Sequence, residues 1–456
     1  MPLLLAGKKV LVVGLARSGA AAARLCAREE ARVTVTDRRD AGELADALAP
    51  LEGLEIALAL GGHDERDFTS ADLIVLSPGV PPTLAGLVAA RRAGVPILGE
   101  VELAWRLLGD IPVVAITGTN GKSTTTALTG RLFQEDRATF VGGNLGIPLS
   151  ELPLSGKRTD VAVVELSSFQ LEGIERFRPR VAAILNLTPD HLDRYAGMDD
   201  YAAAKARLFE NQQPGDVAVA NERDPRAMAA ARSTRGDVVT FGFGPRAPMA
   251  ARDDGEVVRW TGPTGEPERY RIRSRALLGR HNRENAMAAV ICARMMGVPG
   301  PAVQRGLDGF PGLPHRLELV AARGGVEWVN DSKATNVDST VVGLSAFPAG
   351  SPSVILLLGG RGKGSPYAPL RALFPGRVKA LLTLGEDAPA IERELGDLGP
   401  TESCGDLPTA VAHAARLAVP GDVVLLSPAC ASYDQFRTYE ERGETFRRLA
   451  SAAPLP

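Results

Sequence analysis

The sequence is short of cysteine and has no excess of charge of either sign, and both features narrow the possible functions. Its four cysteines, Cys26, Cys292, Cys404 and Cys430, lie far apart, and none forms a C-x-x-C pair. Neither a disulfide framework nor a zinc site is indicated, which is typical of a protein from a reducing compartment. The net charge of −2 gives no electrostatic basis for binding nucleic acid or an anionic membrane.

Long apolar runs are also missing. No stretch reaches the ~18 uninterrupted apolar residues that a membrane span needs, and the apolar run near the start is too short for a signal peptide. We therefore expect a cytoplasmic protein that acts without a membrane or nucleic-acid partner. Its 456 residues are too many for one core and predict two to four domains.

Strands alternate with helices in three successive segments, a pattern that predicts an α/β fold with parallel sheets. We place the domain boundaries at residues 1–108, 109–313 and 314–456, the last at the turn-rich stretch F-P-G-L-P. The predicted strands are Lys9–Val13, Val33–Thr36, Leu73–Leu76, Pro112–Ile116, Val161–Val164, Val181–Leu185, Val326–Asn330, Val354–Leu358, Lys379–Thr383 and Val423–Leu426, with an antiparallel hairpin of Glu256–Trp260 and Tyr270–Arg273. The main predicted helices are Ala20–Arg28, Lys122–Gln134, Arg283–Met296, Ser339–Ala346 and Gln435–Ala450.

The stretch Ala115–Thr124 reads A-I-T-G-T-N-G-K-S-T and is the most informative in the chain. A buried strand is followed by a glycine turn and then by a helix that begins with Lys122 and Ser123. This arrangement predicts a phosphate-binding loop, in which backbone N–H groups hold phosphate oxygens, the lysine reaches the terminal phosphates and the hydroxyl binds Mg²⁺. The spacing G-x-x-G-K-S is shorter than the usual one, so a glycine-rich turn that only caps a helix is the alternative.

The first glycine turn, G-L-A-R-S-G, follows strand Lys9–Val13. In a dinucleotide-binding fingerprint the second glycine allows the pyrophosphate to approach the backbone closely. Ala16 occupies that position here, so a nicotinamide cofactor is disfavoured. Asp37, about 20 residues beyond the turn, is placed to contact a ribose or a base. The structural alternative for Asp37 is a helix cap.

Polar side chains follow the strands of the second segment. Glu165 and His191 each come at a strand end, and together with the Ser123 hydroxyl they are plausible ligands for one or two Mg²⁺ ions. Lys205 lies in a predicted helical stretch, where a solvated lysine is the alternative to a functional one.

Lysine is scarce in this arginine-rich chain, and two further lysines follow strands of the third segment. Lys333 lies in D-S-K-A-T-N, and Lys363 in G-G-R-G-K-G, which is typical of an anion-binding loop. An exposed flexible turn is the alternative for the second loop.

Eight motifs occur in the order found in the Mur ligases, which this chain resembles along nearly its whole length. They are G-T-N-G-K-S-T, E-L-S-S-F-Q-L, N-L-T-P-D-H-L-D-R-Y, the Lys205 helix, H-N-R-E-N-A, L-P-H-R-L-E, N-D-S-K-A-T-N and S-P-A-C-A-S-Y-D-Q-F. The last two are most similar to those of the members that add D-glutamate, and the D-N-P-R motif of the relatives that add diaminopimelate or lysine is absent.

The resemblance implies three domains: a Rossmann-like UDP-binding domain, a central P-loop ATPase domain with a parallel sheet, and a Rossmann-like C-terminal domain. It implies that ATP and Mg²⁺ support amide formation between UDP-N-acetylmuramoyl-L-alanine and D-glutamate through an acyl phosphate. A monomer is expected.

The resemblance also implies the residue roles. Lys122, Glu165, His191, Lys205 and Lys363 would be catalytic, and Ser123, Glu165, His191 and carbamylated Lys205 would hold Mg²⁺. ATP would contact Gly118, Thr119, Asn120, Gly121, Lys122, Ser123, Thr124, Asn282, Arg316 and Asp331. The UDP-linked substrate would contact Leu15, Arg17, Ser18, Asp37, Arg38, Ser77, Gly79 and Asn144. The acyl phosphate and D-glutamate would contact Lys333, Thr335, Lys363, Ser432 and the backbone of Tyr439, a position where some relatives have phenylalanine.

Two other functions are compatible with parts of this pattern. One is a related amide ligase with another amino acid, or a folate polyglutamate ligase, although the latter lacks the first domain. The other is a nucleotide-gated binding protein without chemistry, which would not need the second predicted anion loop at Lys363.

Overall fold

The protein is described by a computed structural model that covers residues 3–144, 146–190, 194–243, 250–253, 257–263, 265–277, 279–351 and 353–453. These residues form three separate β-sheets of five, nine and six strands. The chain divides into two compact units, and the first contains Met1–Ser274 and Arg280–Phe310. The second contains Arg275–Gly279 and Pro311–Pro456.

The first sheet is wholly parallel, with strand order β3-β2-β1-β4-β5. Its elements in chain order are β1 (Lys9–Val13), α1 (Arg17–Arg28), β2 (Arg32–Asp37), α2 (Ala45–Leu48), β3 (Ile56–Leu60), α3 (Glu65–Ser70), β4 (Leu73–Leu76), α4 (Ala85–Arg92), β5 (Ile97–Gly99) and α5 (Glu100–Leu107). The strand order reverses beside β1, so the glycine turn after β1 lies at the point where ligands bind in such sheets.

Helix α1 begins at Arg17, three residues earlier than the sequence predicts, because the glycine turn leads directly into it. Ala20 N–H donates to Ala16 O at 2.9 Å and forms its first turn. A Cβ atom on Gly19 would come within 2.1 Å of Gly14 O, so only glycine allows the helix to pack this closely on the turn.

The second sheet has the order β14-β13-β12-β11-β10-β9-β6-β8-β7 and is parallel from β12 to β7. Its elements are β6 (Val113–Thr117), α6 (Lys122–Gln134), β7 (Thr139–Gly143), α7 (Glu151–Leu154), β8 (Val161–Glu165), α8 (Ser168–Glu172), β9 (Val181–Ile184), α9 (Met198–Ala206), β10 (Val217–Asn221), α10 (Pro225–Ala231), β11 (Asp237–Phe243), β12 (Ala250–Asp253), β13 (Val257–Thr261), β14 (Pro267–Arg271), α11 (Arg280–Met295) and α12 (Gly300–Asp308).

The predicted hairpin is confirmed and extends the second sheet at one end. Strands β13 and β14 pair antiparallel, and Val258 lies opposite Tyr270. The predicted first strand began at Glu256, which lies outside the described residues. Strand β6 is fully buried and lies inside the sheet between β9 and β8, and this interior position explains its run of apolar residues.

The third sheet has the order β15-β16-β20-β17-β18-β19, and only β15 is antiparallel to its neighbour. Its elements are β15 (Glu318–Arg323), β16 (Val326–Asn330), α13 (Val337–Ser345), β17 (Val354–Gly359), β18 (Val378–Leu384), α14 (Ala388–Leu395), β19 (Thr401–Gly405), α15 (Leu407–Leu417), β20 (Val423–Leu426) and α16 (Tyr439–Ala452).

The last helix begins at Tyr439, four residues later than the predicted start at Gln435. Thr438 caps it, since its side chain accepts a 3.2 Å hydrogen bond from Glu441 N–H. Gln435 N–H instead donates to Ser432 O and belongs to a turn before the helix.

The first two sheets share one continuous apolar core. It joins residues of β1 and α5, such as Val12 and Leu103, to residues of β6 and β8, such as Ala115 and Val164. The α/β class and the three-domain fold are confirmed, whereas the exact boundaries at residues 108 and 313 remain predictions. No helix within the described residues is long and apolar enough to cross a membrane.

Candidate active site

The predicted phosphate loop connects β6 to α6 as the sequence indicates. Gly118 and Gly121 have φ angles of 149° and 84°, a region that favours glycine. A Cβ atom on Gly121 would lie 2.3 Å from Asn285 Oδ1, so sterics also exclude a side chain there. Gly121 is the N-cap of α6 and brings no capping side chain, so the start of this 13-residue helix suits an anion.

Asn186 holds the loop from the end of β9. Its backbone oxygen accepts a 2.9 Å hydrogen bond from Thr119 N–H, and its side chain bonds Asn120 twice, through Oδ1 to N–H at 2.8 Å and through Nδ2 to O at 3.0 Å. Thr188 N–H donates to Thr119 Oγ1 at 3.0 Å. Asn186 was not among the predicted site residues, although it opens the N-L-T-P-D-H motif.

Lys122 lies over this loop. Its Nζ donates to Gly118 O at 3.0 Å and to Thr119 O at 2.7 Å. The ammonium group is therefore held at the loop mouth by two carbonyl oxygens, where it can move toward a phosphate oxygen by exchanging these neutral acceptors for a charged one.

Glu165 fits the role of a Mg²⁺ ligand. It is 2% exposed at the end of β8, and its Oε1 accepts a 2.7 Å hydrogen bond from Asn144 Nδ2. Its buried Oε2 has no hydrogen-bond partner among the described residues. A buried carboxylate oxygen without a donor is costly unless a cation or a ligand binds it, and oxygen is the donor that Mg²⁺ prefers.

Of the other predicted metal ligands, Ser123 belongs to the described residues and His191 does not. Ser123 is nearly buried in the first turn of α6. His191 lies outside the described residues. Within the described ranges there is no cluster of three or more His, Cys, Asp and Glu side chains that could hold a metal. Glu165 and a hydroxyl therefore match a site completed by phosphate oxygens and water.

Lys205 is buried, and the alternative of a solvated lysine is wrong. It is 2% exposed in α9; its Nζ donates to Thr117 Oγ1 at 3.3 Å and lies 4.9 Å from the centre of the Tyr201 ring. Burial, helped by the positive charge of Lys122, lowers the pKa of Lys205 to about 7, although Asp190 and Glu165 oppose the shift. A substantial fraction of this amine is therefore neutral near pH 7.

The predicted ATP contact Asn282 lies on α11, next to Asn285, which packs against Gly121 of the phosphate loop. Asn285 Nδ2 donates to Asn282 Oδ1 at 3.3 Å, and both side chains are buried. Since Asn285 packs against Gly121, helix α11 also supports the phosphate loop.

Asp37, the last residue of β2, connects the end of this strand to the glycine turn that follows β1. Its Oδ2 accepts from Leu15 N–H at 2.7 Å, and Arg39 bonds both carboxylate oxygens. Burial acts to raise the pKa of Asp37, but the hydrogen bonds and charge of Arg39 and the Leu15 N–H prevail and hold it well below its usual range. The helix-cap alternative is wrong, since the next helix begins only at Ala45.

Most other predicted contacts of the UDP-linked substrate follow the carboxyl ends of β1, β2 and β4. Ser77 is buried and its Oγ donates to Gly14 O at 2.7 Å. The Leu15 side chain is fully buried, so it offers no side-chain surface to a ligand. Arg17, Arg38 and Gly79 are exposed and Ser18 is half-buried. Arg39, which the sequence did not single out, is the residue that orients Asp37.

In the second unit, Asp331 is buried at the end of β16. Its Oδ2 accepts a 2.7 Å hydrogen bond from Ser427 Oγ, and its Oδ1 accepts from Leu317 N–H at 3.3 Å. Burial raises its pKa to about 7, although the Ser427 bond and the charge of Arg316 oppose the rise. His315 has φ of 62° and Leu317 of 44°, so the L-P-H-R-L-E motif holds strained non-glycine backbone, which is common at functional sites.

Arg442 supports the loops that carry the predicted amino-acid contacts. This buried side chain donates to Ser332 Oγ at 3.0 Å, to Ser332 O at 2.9 Å and to Cys430 O at 3.0 Å. Ser332 Oγ in turn donates to Tyr439 O at 2.8 Å. The sequence did not single out Arg442, because its position in a helix of mixed charge has no local signal.

The predicted contacts lie around this scaffold. Lys333 Nζ is 5.5 Å from the centre of the Tyr439 ring, Thr335 N–H donates to Lys333 O at 2.9 Å, and Ser432 is 2% exposed. Lys363 is exposed.

The Lys363 loop (Gly359–Gly364) is braced rather than free. Arg361 and Ala431 form a β-bridge, with N–H to O distances of 2.9 and 3.0 Å. Gly360 has φ of 135°, and a Cβ atom there would lie 2.4 Å from Ala431 O. The loop is therefore tied directly to the segment that carries Ser432.

Comparison with known proteins identifies the family. The model of the Mur ligase middle domain matches residues 116–293, that of the MurD-like N-terminal domain of Mur ligases matches residues 8–99, and that of the glutamate ligase domain of Mur ligases matches residues 315–430. The chain belongs to the Mur ligase family. It is thus an ATP-dependent ligase, and ATP and Mg²⁺ fit the family as predicted.

Several relatives in this family match over the whole chain. A UDP-N-acetylmuramoylalanine–D-glutamate ligase from Anaeromyxobacter dehalogenans is 70% identical, with 98% of each chain covered. The enzyme of the same name from Myxococcus xanthus is 51% identical, over 99% of this chain and 100% of that one.

Solved structures agree on the fold. A pseudomurein peptide ligase type C from Methanothermus fervidus and a UDP-N-acetylmuramate–alanine ligase from Thermotoga maritima each superpose with a TM-score of 0.60 at 19% identity. Each match covers 98% of this chain and 100% of the other. At this identity the superpositions support the Mur ligase architecture alone.

Proposed function

We propose that this Mur ligase joins D-glutamate to UDP-N-acetylmuramoyl-L-alanine, with conversion of ATP to ADP and phosphate, in cytoplasmic peptidoglycan precursor synthesis. The choice of substrates is supported by the names of relatives that are up to 70% identical over 98% of the chain. The choice of chemistry is supported above all by Glu165, whose Oε2 is buried without a hydrogen-bond partner among the described residues. Glu165 lies in the same compact unit as the phosphate loop and Lys122.

The reaction has two steps. The substrate carboxylate attacks the γ-phosphorus of ATP and breaks its bond to the bridging oxygen, giving an acyl phosphate and ADP. The amine of D-glutamate then attacks the acyl carbon, the tetrahedral intermediate expels inorganic phosphate, and the nitrogen loses a proton to give the amide.

The first step brings two anions together. A carboxylate ~4 Å from a phosphate is repelled by about 4 kcal/mol per pair of unit charges at an effective dielectric constant near 20. Lys122, the loop N–H groups and the N-terminus of α6 offset this repulsion and stabilise the charge that develops. By resemblance, Ser123 and Glu165 would hold a first Mg²⁺ and His191 a second, and these ions would supply further positive charge to the phosphates.

We further propose that Lys205 reacts with CO₂ to form a carbamate. The neutral amine attacks CO₂, forms a C–N bond and releases one proton, which turns a cation into an acid group. The burial of Lys205 and its pKa near 7 support this step, because only the neutral amine is nucleophilic. The resemblance assigns this carbamate a part in holding the second Mg²⁺.

We assign the remaining contacts by resemblance, each in its own unit. The first sheet and the turns that follow its strands would bind the UDP group near Leu15, Arg17, Ser18, Asp37, Arg38, Ser77 and Gly79. In the second unit, Arg316 and Asp331 would contact ATP, and Lys333, Thr335, Lys363, Ser432 and the Tyr439 backbone would contact D-glutamate or the acyl phosphate. The Nε atom of Arg316 is buried and has no hydrogen-bond partner within the described part of the chain, which supports a ligand-binding role.

Substrate selectivity tests the proposal. Purified protein is incubated with ATP, Mg²⁺, UDP-N-acetylmuramoyl-L-alanine and one amino acid at a time, and phosphate release and the nucleotide-linked product are measured. We expect turnover with D-glutamate only. Equal or better use of L-lysine or diaminopimelate would indicate a Mur ligase of different specificity. ATP binding without product from any amino acid would favour the binding-protein alternative.

A further inference from the structure

A turn after β18 lies between the Lys363 loop and the Ser432 loop (Pro428–Asp434). Asp387 N–H donates to Gly360 O at 3.0 Å, and a Cβ atom on Gly362 would lie 1.9 Å from Asp387 Oδ2. The Asp387 carboxylate therefore packs directly on the backbone next to Lys363. No side chain lies between this carboxylate and the backbone of Gly362.

Tyr367 links that carboxylate to the Ser432 loop. Its hydroxyl donates to Asp387 Oδ2 at 2.5 Å and lies 3.0 Å from Cys430 Sγ. Tyr367 is 3% exposed and Cys430 fully buried. Because the phenolic proton is given to the carboxylate, the thiol is the donor in the second contact. Burial raises the pKa of Cys430 to about 11, so it remains a thiol.

The Tyr367 backbone is held independently of these contacts. Glu394 Oε2 accepts hydrogen bonds from the N–H groups of Tyr367 at 2.7 Å and Ala368 at 3.1 Å. From this fixed backbone, the Tyr367 hydroxyl contacts both the turn after β18, through Asp387, and the Ser432 loop, through Cys430.

A second contact ties the same turn to the Ser432 loop. Asp434 Oδ2 accepts a 3.1 Å hydrogen bond from Glu386 N–H, and Glu386 forms a two-bond ion pair with Arg361 at 3.0 Å. The Arg361 pair is exposed and contributes little. The buried Tyr367 bonds are therefore the stronger constraint.

We propose that Tyr367 is a positioning residue, which fixes the Lys363 loop and the Ser432 loop at the spacing needed to bind the amino-acid substrate. The proposal rests on the proposed function, which assigns Lys363 and Ser432 to that substrate. A hydrogen bond to a carboxylate is charge-assisted and among the stronger ones in a protein. Without it, the Arg361–Ala431 bridge still joins the two loops, but the link from Asp387 through Tyr367 to Cys430 is lost, and small misplacements at a binding site are costly.

Tyr367→Phe tests the proposal, because it removes one oxygen and keeps the ring. We expect about a tenfold increase in KM for D-glutamate, as the loss of a charge-assisted hydrogen bond predicts. KM for ATP and for the UDP-linked substrate should change less than twofold, and thermal unfolding should confirm that the variant is folded. Asp387→Asn keeps an acceptor for the hydroxyl and should have a smaller effect than Asp387→Ala.

Tyr270→Phe is the matched control. Tyr270 is another buried tyrosine whose hydroxyl donates to a carboxylate, that of Glu268, but it lies on β14 in the first unit. Its KM for D-glutamate should stay at the wild-type value. An unchanged KM in Tyr367→Phe, or an equal loss for all three substrates together with a lowered melting temperature, would overturn the proposal.

The wild-type enzyme separates this proposal from the function on which it rests. If wild type uses D-glutamate and Tyr367→Phe does not alter its KM, the positioning role alone fails. If wild type uses another amino acid, the proposed specificity fails, and the same KM comparison with that amino acid decides the role of Tyr367.

Discussion

Asn144 Nδ2 donates a 2.7 Å hydrogen bond to Glu165 Oε1 and leaves Oε2 of the same carboxylate, buried and unpartnered among the described residues, as the atom available to a cation. The two residues belong to neighbouring strand ends, and Asn144 N–H also donates to Glu165 O at 2.8 Å. The resemblance assigns Asn144 to the sugar side of the substrate. The contact with Glu165 gives it a role in orienting a proposed Mg²⁺ ligand as well.

Asn144→Ala should weaken Mg²⁺ binding, because loss of a partner that orients a metal ligand typically costs about 10-fold to 100-fold in affinity. Activity measured against Mg²⁺ concentration should show this shift. Asn211→Ala, which removes an amide that bonds only the backbone oxygens of Glu175 and Phe177 among its described contacts, serves as the control. A raised KM for the UDP-linked substrate with unchanged Mg²⁺ dependence would leave only the sugar role.

Lys122→Ala should abolish turnover and leave binding of the UDP-linked substrate intact. The ammonium group lies at the phosphate loop, while the predicted UDP contacts other than Asn144 lie around the carboxyl ends of the strands of the first sheet. Turnover and equilibrium binding of the UDP-linked substrate are measured on the same preparation. Lys157→Ala, at an exposed lysine, should behave as wild type in both assays. Loss of both properties in Lys122→Ala would mean that the two sites are not separate.

Lys205→Ala should be nearly inactive and regain activity with an added short-chain carboxylate. The added acid would occupy the space left by the side chain and replace the carbamate. Lys205→Arg is the matched control: it keeps the positive charge, cannot form a carbamate and leaves no space, so it should be inactive with or without the acid. A fully active Lys205→Ala enzyme would eliminate the carbamate proposal.

The pKa of Asp331 predicts a pH dependence of stability. Burial raises it from 3.8 to about 7 in the folded protein, so between these values the folded state binds more protons than the unfolded state. This contribution to stability is therefore present below about pH 4 and is lost as pH rises to about 7, at most about 1.4 kcal/mol of unfolding free energy per pH unit.

Asp331→Asn removes the titrating group and should flatten that dependence. Denaturant unfolding of the ligand-free protein at pH 5, 6 and 7 measures it. Asp338→Asn, at an exposed position on α13, is the control and should keep the wild-type slope. Identical slopes in wild type and Asp331→Asn would show that the buried carboxyl does not titrate in this range.

Local patterns in the sequence were enough to predict the α/β class, most strands and the phosphate loop, because these depend on residues that are neighbours in the chain. Apolar runs such as that of β6 mark buried parallel strands, and the glycines at 118 and 121 mark a turn that only glycine can form. The predicted starts of two helices were wrong by three and four residues, since these helices begin at Arg17 and Tyr439. Several adjacent residues could each form the first turn of a helix or the turn before it, so the sequence does not fix the exact start.

Which side chains hold the site in place depends on contacts that form only when the chain is folded. Asn186 braces the phosphate loop, Asn144 orients Glu165, and Arg442 supports the Ser432 loop. Each of these contacts joins residues that are distant in sequence, and such pairs have no local pattern. The burial of Lys205 has the same origin: a helix with small residues on several faces is compatible with solvent or with a core, and the surrounding fold determines which one it meets.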